Sequence, residues 1–66
     1  MDQAAMKRTL DLTVQLFDGD TNVARQWFHT SIPALGNRRP IDLAQSEAGA
    51  REVESLIGRI EQGVVS

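Results

Sequence analysis

The chain has no cysteine among its 66 residues. A disulfide scaffold and a thiolate metal site are therefore excluded, and the composition fits a reducing compartment, so a cytoplasmic location is expected. Basic residues are few and scattered. Seven Lys and Arg stand against nine Asp and Glu, for a net charge of -2, and the only adjacent basic pairs are Lys7-Arg8 and Arg38-Arg39. Duplex binding needs a basic face, so no nucleic-acid contact is expected from this chain. No apolar run approaches the ~20 residues of a membrane span. The N-terminus intersperses charged with apolar residues, unlike a secretory signal. A chain of this size buries only about 60% of its extended surface on folding. Without staples it is marginal alone, and it needs either tidy helix packing or a partner.

The two prolines, Pro33 and Pro40, fall in one stretch, and on either side of it the pattern is helical. A first helix is expected over about residues 2–17. Met6, Leu10, Val14 and Phe17 cluster on one side, Ala5, Leu12 and Leu16 lie beside them, and Thr9 and Thr13 fill the gap. The resulting arc is roughly 200° wide, twice that of an ordinary surface helix. Such a helix is covered on two sides, either inside a bundle or with one flank left for a second copy or a partner. Asp18-Gly19-Asp20 ends it: Gly19 supplies positive φ, and Asp20 or Thr21 caps a second helix over 21–30. There Val23, Ala24, Trp27 and Phe28 share a face, with Trp27 and Phe28 as anchors of the core.

Residues 31–39 read as a structured loop in which Leu35 tucks inward and Gly36-Asn37 reverses the chain. Pro40 starts a short helix to about Ala44, with Ile41 and Leu43 inward. Ser46 caps the last helix, 47–62, whose stripe runs Gly49, Ala50, Val53, Leu56, Ile57, Ile60 and Val64. Gly49 costs roughly 1 kcal/mol of helix propensity against Ala, a cost that close approach of another helix would offset. Gly63 stops the helix. Together these segments predict one all-α domain over 1–66, a small bundle of three main helices plus one short helix. Its expected core is Leu10, Val14, Phe17, Trp27, Phe28, Leu43, Val53, Leu56, Ile57 and Ile60.

Little in the chain can carry catalysis. Asp18-x-Asp20-x-Asn22 opens like a calcium loop, but its sixth position is Val23 and its twelfth is His29, so a cap and turn is the better reading. His29 is the one histidine, placed on a polar face near a helix end. Gly36-Asn37-Arg38-Arg39 lacks the Lys-Ser/Thr ending of a phosphate loop. A chain this short also leaves little room for a pocket of about 300 Å³. No catalytic residue, metal ligand or cofactor is expected, and the protein is not expected to be an enzyme. Two features stay open between a bland and a functional reading. Arg38-Arg39 is either a solvated charge pair or a contact to an acidic partner. The apolar tail after Gly63 is either frayed or a plug for a cleft.

An ordered set of short motifs resembles the toxin-binding domain of the Xre/MbcA/ParS antitoxins. The set is Phe17 with Gly19-Asp20, Ala24 with Trp27-Phe28, Pro33-Ala34-Leu35-Gly36, Arg39-Pro40-Ile41-Asp42-Leu43, then Gly49-Ala50, Val53, Leu56-Ile57, Arg59-Ile60-Glu61 and Gly63-Val64. The resemblance spans nearly the whole chain from Leu10 onward. It implies a protein without activity of its own. Such domains bind and neutralise a RES-domain toxin of a bacterial type II pair, one that resembles ADP-ribosyltransferases and depletes NAD, by blocking its active site. It directs attention to Leu35, Gly36, Arg38, Arg39 and Pro40 of the loop and to Arg59, Glu61, Gly63, Val64 and Val65 of the C-terminal end as partner-binding residues. The family commonly has a second glycine near position 37 or 38, where this chain has Asn37-Arg38. Longer members carry a helix-turn-helix region, whereas the match here begins almost at Met1. A homodimer or a hetero-oligomer with toxin is expected, and toxin should raise the melting temperature. Competing readings are a DNA-binding regulatory module and a structural homodimerisation domain.

Overall fold

The structure, a computed structural model, describes residues 3–63. Four α-helices follow one another: α1 (Gln3–Leu16), α2 (Thr21–Phe28), α3 (Pro40–Leu43) and α4 (Glu47–Glu61), with a 3-10 turn at Pro33–Leu35. Among the described residues there is no strand, only an isolated antiparallel bridge between Ile32 and Arg38. The fold is the expected all-α bundle of three main helices plus one short one. Among the described residues no helix is long and apolar enough to cross a membrane.

Local chemistry places each boundary. Asp20 Oδ1 accepts from the Val23 amide at 3.1 Å, and Ser46 Oγ from the Gly49 amide at 3.2 Å, so both helices start on side-chain caps. Asp20 is therefore seen as a cap, as the failed calcium pattern suggested. The end of α1 is tighter than expected. Asp18 takes φ 55° as well as Gly19 at 86°, and the Gly19 amide donates to Val14 O at 2.9 Å, a six-residue closure that satisfies an orphan carbonyl. Gly63 ends α4 with φ 65°.

The core joins Leu35, Leu43, Val53 and Ile57, with Leu12, Leu16, Trp27, Ile32 and Leu56 packed against it. Phe28 is buried as expected. Trp27 is half-buried and meets Phe17 in a tilted ring pair, centroids 6.3 Å apart. Four residues expected in the core are neither buried nor packed against its cluster, Phe17 among them, half-buried against Trp27. Ile60, in the last turn of α4, is 46% exposed and is absent from the core cluster of the described residues. Leu10 and Val14 are only half-buried and floor an outward cleft.

The cause is the rotation of α1. Its fully buried stripe is Ala5, Thr9 and Thr13, at i, i+4 and i+8. These small residues let α1 lie close to its main neighbours, α4 and α2. The two hydroxyls are satisfied within the helix: Thr9 Oγ1 donates to Ala5 O at 2.7 Å and Thr13 Oγ1 to Thr9 O at 2.9 Å. Each Thr thus presents an apolar face, and the centre of the wide arc goes inward rather than its Leu-Val edge. Arg8 ties the same pair of helices from outside, donating to Glu54 at 2.5 Å and to Glu47 at 2.6 Å. Those two hydrogen bonds, Glu54 first, hold its guanidinium above the ordinary pKa.

Candidate functional site

Pro33 fixes the first position of the 3-10 turn, and Gly36 closes it in the left-handed region at φ 70°. Asn37 follows at φ 61°, so an asparagine rather than a second glycine meets the left-handed demand. The turn lays Arg38 back over itself. Arg38 Nε donates to Leu35 O at 2.8 Å, and its Nη2 reaches Glu52 of α4 at 2.8 Å. A β-carbon on Gly36 would stand 3.6 Å from that Nε, an ordinary contact, so it is the left-handed φ of 70° rather than space that calls for glycine here.

Between this loop and α4 lies a cleft of about 310 Å³ lined by Ala34, Leu35, Gly36, Arg38, Glu52, Ser55, Leu56 and Arg59. The expected loop and the expected C-terminal helix end therefore meet in one place. A second cleft, about 480 Å³, lies between Leu10, Asp11, Val14 and Gln15 of α1 and Thr21 and Arg25 of α2. Clefts of this size were not anticipated for so short a chain.

The expected partner-binding residues divide by position. Gly36, Arg38 and Arg59 line the first cleft. Glu61 and Gly63 are exposed just beyond it along the chain, after the exposed Ile60. Leu35, 4% exposed, lines the same cleft from within the core, and Pro40 is fully buried and shapes the loop from inside. Arg39 parts company with Arg38: its Nε and Nη2 both meet the Asp42 carboxylate, at 2.8 and 2.9 Å. That pairing holds the Asp42 carboxyl below its ordinary value. Val64 and Val65 lie outside the described residues. Glu52 was missed by sequence reasoning. It is an ordinary exposed carboxylate on a helix, and only the folded loop shows that it is the partner of Arg38.

The profile of the antitoxin Xre/MbcA/ParS C-terminal toxin-binding domain matches residues 13–63. A curated protein named antitoxin Xre from Yersinia enterocolitica is 48% identical over 63 residues, covering 96% of this chain and 43% of its own length. Another of the same name, from Photorhabdus laumondii, is 44% identical over the same span. The chain thus spans less than half the length of the curated relatives it matches. No solved structure matches. With a profile over most of its length and two close curated relatives, the chain belongs to the Xre/MbcA/ParS antitoxin C-terminal toxin-binding domain family.

Proposed function

We propose that residues 1–66 form the toxin-binding unit of an antitoxin. Its partner is a RES-type, NAD-degrading toxin of a type II pair in the cytoplasm. The chain has no activity of its own; it lies over the toxin's active-site cleft with the end of α4 and the residues that follow it. The observation that carries this reading is Ile60. A large apolar residue stands 46% exposed at the end of α4, directly after Arg59, which lines the cleft between the loop and α4. An exposed apolar residue among charged ones suits the apolar centre of a binding patch with a polar rim.

The test is NAD consumption by the cognate toxin, titrated with the intact chain and with a variant ending at Gln62. Full protection by the shortened chain would eliminate occlusion by the tail and leave binding through α4 and the loop. Loss of protection with retained binding would support occlusion.

A second, compatible reading concerns the α1–α2 cleft. Leu10 and Val14 floor it, and Asp11 and Arg25 of opposite charge wall it. An apolar patch carrying both signs suits a second copy of itself about a two-fold axis. Sedimentation at micromolar concentration, with Leu10→Asp as the disrupting variant, decides whether this face forms a homodimer.

A further inference from the structure

The cleft between the loop and α4 has an electrostatic character that runs against the whole chain. The protein carries a net charge of -2, yet two guanidiniums, Arg38 and Arg59, and one carboxylate, Glu52, line the cleft. The two arginines are in different states. Arg38 is committed, held by Leu35 O on one side and by Glu52 on the other. Arg59 has no hydrogen bond or ion pair among the described residues, although Glu52 lies two turns behind it on the same side of α4. Between them the half-buried Leu56 gives the cleft an apolar floor.

We infer that this cleft receives an acidic side chain of the partner protein. Arg59 meets the carboxylate in the bidentate manner that guanidinium favours. The methylene stem of the Asp or Glu lies over Leu56. Arg38 is fixed in advance by the turn, so it walls the cleft without the entropy cost of ordering a free side chain. Glu52 balances the charge of Arg38 and limits the cleft to one net positive charge, which selects a single carboxylate over a densely acidic strand. This inference rests on the toxin-binding reading for the identity of the partner, and it adds the chemistry by which that partner is recognised.

The experiment measures the dissociation constant of the full chain with its cognate toxin at two salt concentrations, for wild type, Arg59→Glu, Arg59→Lys, Glu52→Gln and Ile60→Asp. All three positions are solvent-accessible, and circular dichroism confirms that each variant is folded. Arg59→Glu is expected to weaken binding by about tenfold or more at low salt, and Arg59→Lys by less. Glu52→Gln, which frees Arg38, is expected to bind more tightly with a steeper salt dependence. Wild-type affinity for Arg59→Glu alongside weakened Ile60→Asp would overturn the carboxylate inference and leave the surface standing. Wild-type affinity for both would overturn the surface itself. Equal weakening by Arg59→Glu and Glu52→Gln would also overturn the inference, because it would mean that cleft shape rather than its positive charge is recognised.

Discussion

Gly49 and Leu43 meet backbone to backbone. A β-carbon on Gly49 would stand 2.7 Å from the Leu43 carbonyl carbon and closer still to its oxygen. The glycine in the middle of an apolar helical stripe is explained by this approach, which lets α4 start directly behind α3. Gly49→Ala gains up to about 1 kcal/mol of helix propensity but forces backbone to move. A net loss of roughly 1–3 kcal/mol is expected, in the range of overpacked cores. Gly58 is the control: it lies in the same helix, and nothing stands within 4 Å of its missing side chain. Gly58→Ala should stabilise by about 0.5–1 kcal/mol. Urea unfolding followed by Trp27 fluorescence reads both, and a destabilised Gly58→Ala or a neutral Gly49→Ala would contradict the geometry.

Asp18 occupies the left-handed position after α1 at φ 55°, where glycine is the common choice. The strain of a side chain there is partly returned by the lower chain entropy of Asp in the unfolded state. Asp18→Gly should therefore raise stability modestly, by up to about 1 kcal/mol. Asn37, at φ 61° in the loop, should respond to glycine in the same direction. A fall in melting temperature for Asp18→Gly would show that its carboxylate has a role the hydrogen bonds do not reveal.

The Asp42 carboxyl is held below its ordinary value of 3.8, chiefly by the hydrogen bond to Arg39, which outweighs desolvation and is helped by the nearby charges of Arg39 and His29. A folded-state value below the unfolded one stabilises the fold above the unfolded pKa, and that contribution is lost as pH falls through the folded one. Wild type should thus exceed Asp42→Asn in melting temperature at pH 7, with the gap closing as pH falls below the ordinary carboxyl value of 3.8. Both partners are exposed, so the gap is expected to be small. A gap that widens on acidification would contradict the sign.

The outline of the fold was legible because its signals are local. Asp20 and Ser46 cap, Gly36, Asn37 and Gly63 turn, and the stripe from Gly49 to Ile57 faces inward, all from short-range chemistry. The rotation of α1 was not legible. A 200° arc contains two inward solutions, and the choice depends on Thr9 and Thr13 hiding their hydroxyls against their own helix. Nor was the cleft: Arg38 and Glu52 are 14 residues apart, and their pairing exists only once the loop folds against α4. Ile60 continues the α4 stripe in sequence, so only the folded structure shows that it is 46% exposed.

Ile60 separates stability from function most cleanly. At 46% exposure it loses little apolar burial on substitution, and surface changes away from special features stay within about 0.5 kcal/mol. Ile60→Asn should therefore melt close to wild type. If the end of α4 is the toxin-facing surface, the same change should weaken protection against the toxin, since an apolar anchor at a desolvated interface centre is worth about 2 kcal/mol or more. Ile57, 1% exposed and three residues earlier, should behave oppositely: Ile57→Ala costs about 2–5 kcal/mol of fold stability. Its effect on protection should follow the fraction folded. An Ile60→Asn variant that protects fully would place the interface elsewhere on the bundle. The cleft over Leu10 and Val14 would then be the surface to mutate next.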